Sequence, residues 1–174
     1  PGAVTVGSPV GLVGTETLNL TGQADDLSSA NAATYATTVR YTAADGEDGG
    51  LASNYTVTPT AGVSATIAPK PLSISSPTIA DKTYDTTTAA GTLIVGQLSG
   101  LVGSETLLVS GVASPLSSAN AGSYNDVTVT YTLANGNTGI AANYTLADSA
   151  NVTAVVNPVN LTIGAPTIAR KDYD

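Results

Sequence analysis

The fold class this sequence predicts is an all-β sandwich built twice over, and three observations predict it. Segments of the chain return 89 residues later. Apolar and polar residues alternate with a period of two in several short stretches. Gly and Pro punctuate those stretches, while Phe, Trp, Met and Cys are absent altogether. Alternation at period two puts one set of side chains on each face of a strand, as a half-buried sheet requires. With 42% apolar residues and no large aromatic except eight Tyr, any core must be made of Val, Leu, Ile, Ala and Tyr. Thr- and Val-rich segments broken by turn residues favour strands over helices.

The repeat decides the domain organisation. Gly11-Leu12-Val13-Gly14-Thr15-Glu16-Thr17-Leu18 returns as Gly100-Leu101-Val102-Gly103-Ser104-Glu105-Thr106-Leu107. Leu27-Ser28-Ser29-Ala30-Asn31-Ala32 returns from Leu116 to Ala121, and Pro77-Thr78-Ile79-Ala80 returns from Pro166 to Ala169. Around Tyr41 and Tyr131 the offset becomes 90, and the loop from Asp45 to Gly50 absorbs the difference. A sheet locked in register tolerates an inserted residue in a loop, where no ladder is disturbed. The expected domains are 1–69, a first repeat lacking its N-terminal strand; 70–158, a complete repeat; and 159–174, the first strand of a following repeat.

Taken in chain order, Val4-Thr5-Val6 and Leu18-Asn19-Leu20-Thr21 read as strands. Leu27 to Ala32 and its counterpart from Leu116 read as a short helical turn across the sandwich. Turns are expected at Asp45-Gly46, Ser99-Gly100, Ser110-Gly111 and Asn135-Gly136. Val63, Ala65 and Ile67 alternate with Ser64 and Thr66. Leu72-Ser73-Ile74 and Leu161-Thr162-Ile163 share one alternating pattern, and Val127, Val129, Tyr131 and Leu133 alternate with three Thr. Pro69 and Pro71 between two such strands fix φ and remove donors, which predicts a short, stiff joint.

All eight Tyr recur in equivalent pairs: Tyr35 with Tyr124, Tyr41 with Tyr131, Tyr55 with Tyr144, and Tyr84 with Tyr173. They are expected to be structural, packing in cores and corners with each hydroxyl finding a partner, rather than to form a binding platform. Asn54-Tyr55-Thr56 and Asn143-Tyr144-Thr145 are candidates for a tyrosine corner.

Lys82-Thr83-Tyr84-Asp85-Thr86-Thr87, following an alternating Leu-Ser-Ile strand, resembles the YDG-type repeat of large bacterial exoproteins. The Leu-Ser-Ser-Ala-Asn-Ala and Asn-Tyr-Thr elements resemble it too, so the likeness covers essentially the whole chain. Related MBG-type repeats occur in filamentous-haemagglutinin-like secreted adhesins. This sequence departs from the pattern at Thr86, where the family's name has Gly. The resemblance implies tandem immunoglobulin-like β-sandwich repeats, here about 89 residues each, in an extracellular or bacterial cell-surface protein. It implies a non-catalytic shaft of an adhesin or fibre, and no ligand.

Charge and chemistry narrow the classes further. Five basic residues against 13 acidic give a net charge of −8, which repels phosphate backbones and argues against nucleic-acid binding. No apolar run approaches the length that inserts in a membrane. Without His or Cys there is no zinc finger, thiol chemistry or Ser-His-Asp triad, and no Gly-rich nucleotide cradle occurs. Glu16 and Glu105 are equivalent, as are Asp85 and Asp174; single acids in each repeat suit turns better than a glycosidase pair. No enzyme and no obligatory cofactor are expected. Asp45, Glu47 and Asp48 crowd a Gly-rich loop, so calcium is the one metal these hard oxygen donors could take. Lys82 and Lys171 are equivalent and could form either an internal isopeptide bond or an ordinary pair with Asp85 and Asp174.

The expected partners are neighbouring repeats of the same chain or identical chains. Pro1 is the counterpart of Ala90, so residues 1–69 hold no Pro-Thr-Ile-Ala stretch, whereas residues 159–174 hold one with no repeat after it. One expectation is a window on a longer repetitive chain. The other is a self-assembling filament joined head to tail, in which residues 159–174 are donated as a strand and Leu161, Ile163 and Ile168 fill the neighbour's core. A carbohydrate-binding module is a third expectation, from a different class.

Overall fold

The computed structural model describes residues 1–173. The chain is all-β, with strands in several sheets and, among the described residues, two single-turn 3-10 segments. It divides into two compact units. One comprises Pro1–Lys70 with Ala142–Thr145, and the other Pro71–Ala141 with the residues from Leu146 onward. Among the described residues, no helix is long and apolar enough to cross a membrane.

The first unit is a three-stranded antiparallel sheet, β1 (Leu18–Ala24), β2 (Ala33–Asp45) and β3 (Thr60–Ile67), with β2 in the centre. Leu18 pairs with Asp45 and Ala24 with Val39, while Ala33 pairs with Ile67. Thr37 and Val39 point to one face, as period two requires, and are the most enclosed side chains of β2. The Thr37 hydroxyl is satisfied by donating to the Asp25 carbonyl at 2.9 Å. No strand precedes Leu18, so Val4-Thr5-Val6 is not the expected strand. Its side chains nonetheless lie on the sheet at Gly22, where an added Cβ would sit 2.8 Å from Val4 Cγ1.

The remaining strands are β4 (Lys70–Ile74), β5 (Thr78–Ile79), β6 (Lys82–Thr83), β7 (Leu93–Ile94), β8 (Leu98–Ser99), β9 (Leu107–Ala113), β10 (Gly122–Asn135), β11 (Tyr144–Leu146) and β12 (Ser149–Asn157); Lys70, Tyr144 and Thr145 fall with the first unit and the rest with the second. The main sheet has the order β6-β12-β10-β9. β10 pairs antiparallel with β9 and β12, and β6 joins parallel to the outer edge of β12, placing Lys82 beside Val156. β5 pairs with β7, setting Ile79 opposite Leu93, and β4 pairs with β8. Ile79, Leu116, Val127, Ala154 and Val156 form the core, with Leu93 and Tyr124 packed against it.

Three expectations about elements change. Leu27 to Ala32 and its counterpart are bends, not helical turns. There the Ser29 and Ser118 hydroxyls accept the amides of Asn31 and Asn120, a local bond that competes with helix formation. Ser110-Gly111 is no turn but the middle of β9. Gly111 is needed there because a Cβ would meet Leu93 at 3.0 Å and Val129 at 3.2 Å. Leu161-Thr162-Ile163 is not a strand, whereas Leu72-Ser73-Ile74, with the same alternation, is one because β8 supplies its ladder.

Candidate functional site

The tyrosines account for most of the specific side-chain chemistry. Tyr35 follows the Ser-pinned bend, and its hydroxyl reaches back to the carbonyl of Asn31 at 2.8 Å. Tyr124 makes the same bond to Asn120 at 2.6 Å. Each therefore ties a strand to the backbone four residues upstream, the geometry of a tyrosine corner. That corner was expected at Tyr55 and Tyr144. The Tyr55 hydroxyl instead donates to the Glu16 carboxylate and accepts the Val13 amide at 3.0 Å. The hydrogen bond to Glu16, foremost, holds the phenol above its usual range. Tyr41 meets Thr60 at 3.0 Å, and Tyr131 meets Ser149, the residue 89 positions on, at 2.8 Å. Tyr144 is buried, Tyr84 is 40% exposed, and Tyr173 is fully exposed.

The segment after β6 is a charged turn. Lys82 Nζ lies 2.8 Å from Asp85 Oδ1 and also donates to the Thr87 carbonyl at 2.9 Å. The same carboxylate oxygen accepts the Thr87 amide at 2.9 Å and its hydroxyl at 2.8 Å. Lys82 foremost, then the Thr87 donors, hold the Asp85 carboxyl down at about 2. Between them Thr86 takes φ = 68°, a left-handed conformation that glycine adopts freely and a β-branched residue does not. The departure from Gly at this position thus leaves the turn in the glycine conformation.

The sequence signature of one known family matches the stretch centred on this unit. Residues 68–153 are a YDG domain. No curated protein and no solved structure matches the chain. The Tyr84-Asp85-Thr86 turn, the Tyr124 corner and the buried Tyr144 all lie inside the YDG domain. Within it, Lys82 is the cation of an ordinary ion pair with Asp85. Asp174, the counterpart of Asp85, lies outside the described residues.

Asp45, Glu47 and Asp48, the calcium candidates, lie at the end of β2 and in the loop that follows it. Among the described residues no three acids, His or Cys group to hold a metal. Asp45 Oδ1 accepts the Ala52 amide at 2.7 Å, at the start of a 3-10 turn. In the YDG domain Asn135 makes the equivalent bond to Ala141 at 2.8 Å. Asp and Asn are interchangeable for that task, as a neutral acceptor suffices. Glu47 contributes backbone, its amide donating to Thr17 Oγ1 at 2.7 Å, and Asp48 holds a positive φ of 56°.

Sequence reasoning missed two polar devices. Asp25 and Arg40 form a bidentate pair at 2.8 and 3.0 Å. Asp148 accepts the Tyr131 amide at 3.1 Å from a bulge-adjacent position. Neither partner pair recurs 89 positions away, so the repeat gave no signal. Leu161, Ile163 and Ile168 are 89%, 94% and 97% exposed.

Proposed function

We propose that this chain is a non-catalytic structural module, made of tandem immunoglobulin-like β-sandwich repeats, that forms part of the shaft of an extracellular adhesin or fibre. The observation that carries the reading is the use to which the tyrosines are put. At Tyr35 and Tyr124, and again at Tyr41 and Tyr131, hydroxyls at equivalent positions are spent on the protein's own backbone and hydroxyls. A sugar-binding face uses aromatic rings as an open platform with polar groups left for the ligand. A load-bearing spacer uses them to tie strands to corners. The YDG domain at residues 68–153, the acidic charge and the absence of Cys are consistent with a surface-displayed module of this kind.

The test is immunogold electron microscopy of intact source cells with antibody against this chain. Label on fibres or on the unpermeabilised surface is expected. Label that appears only after permeabilisation defeats the extracellular reading. Saturable binding of the purified chain on a glycan array defeats the spacer reading in favour of a carbohydrate-binding module.

A further inference from the structure

One edge of the second unit's main sheet differs from the same edge in the first. β9 ends the β6-β12-β10-β9 order and pairs with β10 without a register shift. Among the described residues no strand pairs with its other side. An edge of this kind offers a row of backbone donors and acceptors, and natural sheets guard it with charge, Pro or a bulge. The seven residues of β9 read Leu-Leu-Val-Ser-Gly-Val-Ala, with none of the three. The outward face of β9 carries Leu108 and Val112, 66% and 72% exposed, on either side of an exposed Ser110. β7 lies against β9, and its Ile94 is 62% exposed.

The residues 89 positions earlier are Asn19, Gln23 and Thr5, all exposed. β1 is therefore the same regular edge with a polar outward face. The strand forms with either set of side chains, so Leu108 and Val112 are not there to build the fold. Apolar side chains displayed along an unguarded edge mark an interaction surface.

Two features single out a second copy of this chain as the occupant. The first is charge. Copies of net charge −8 repel except where charge is sparse, and from Thr86 to Ala147 only Glu105 and Asp126 are charged. The second is spacing. Leu108 and Val112 lie symmetrically about Ser110. Two antiparallel β9 strands centred on Ser110 set Leu108 of each copy opposite Val112 of the other. Both apolar pairs then fall on one face of the joined sheet, where cross-strand pairs stabilise it. The two Glu105 side chains lie at opposite ends of the ladder.

We propose that two copies join edge to edge through β9, about a twofold axis at Ser110, into one continuous sheet. The contact is isologous, the same patch on both partners, so it closes as a pair. The inference goes beyond the shaft reading and does not depend on it.

Sedimentation equilibrium of the full chain, from micromolar to millimolar, tests it. The weight-average mass is expected to rise from 17.1 kDa toward twice that value. A Leu108→Asn, Val112→Gln chain gives β9 the side chains of β1. It is expected to associate about tenfold more weakly or worse, with an unchanged urea midpoint in dilute solution. The chain has no Cys, so single thiols report the register. Ser110→Cys chains are expected to form between-chain disulfides in air about tenfold faster than Thr132→Cys chains. Thr132 is exposed and sits opposite Ser110, one strand further from the edge. A mass that stays at the monomer's, a double variant that associates as tightly as its parent, or equal rates for the two thiols overturns the proposal. Should the double variant fail to fold, the mass of the parent and the two thiol rates decide. None of these results bears on surface display, which the labelling experiment decides.

Discussion

Asp85 is the residue whose chemistry is most specific. It sits at the surface, half exposed, yet one of its oxygens takes three donors, and its Lys82 partner is largely covered. Those donors favour the charged form and hold the carboxyl at about 2, below its ordinary 3.8. A carboxyl depressed in the folded state contributes stability that is complete above the unfolded value. That contribution is lost as pH falls toward the folded value. The urea midpoint of the second unit is therefore expected to drop between pH 4 and pH 2. Asp85→Asn is expected to flatten that interval while lowering the midpoint at pH 7. Denaturation series at half-unit pH steps, followed by tyrosine fluorescence, measure both. An unchanged slope in the variant would show that other carboxylates set the acid limb.

At the scale of elements, the turn that Asp85 opens carries a built-in cost. Thr86 at φ = 68° is β-branched and exposed, and a left-handed conformation costs an L-residue about 1–2 kcal/mol. Gly removes that strain and returns part of the gain through a freer unfolded chain, about 0.5–1 kcal/mol. Thr86→Gly is thus expected to stabilise the second unit by roughly 0.5–1 kcal/mol, read as a higher urea midpoint at constant slope. The site around this turn was legible as a motif, because Lys82, Tyr84 and Asp85 stand together in sequence. Four of the twelve strands among the described residues were legible too: β1, β3, β4 and β10 follow stretches whose alternation shows one buried face. Where the sequence misled, the cause was partnering, which alternation does not encode. Leu161-Thr162-Ile163 has the pattern of a strand and no ladder, and Ser110-Gly111 has the composition of a turn inside β9. At the loop acids Asp45, Glu47 and Asp48, carboxylate density is visible in sequence while the hydrogen-bond partners are not. Asp45 is exposed, and its carboxylate accepts the Ala52 amide.

For the whole molecule, the two units share a pattern but not a degree of enclosure. The central strand of the second unit buries Val127 and Val129 at 1% and 0% exposure, Val127 in one core with Ile79 and Leu116. Its counterpart in the first unit carries Thr37 in place of Val127 and faces an open cleft. Local opening costs more where more apolar surface is closed over a strand. Amides of β10 and β12 are therefore expected to exchange at least tenfold more slowly than those of β2 and β3, by native-state hydrogen exchange with residue-resolved NMR at low protein concentration. Ile79→Ala supplies the control inside the same chain. Truncating a buried Ile costs about 2–5 kcal/mol, so protection in β10 and β12 should fall by about 1.5 to 3.5 orders of magnitude toward that of β2 and β3. Ile168→Ala, at a side chain 97% exposed, should leave all four strands unchanged under the same dilute conditions. If Ile79→Ala left β10 and β12 as protected as before, the difference between the units would have to come from their ladders and not from the closed core. The cleft in the first unit would then be no weak point.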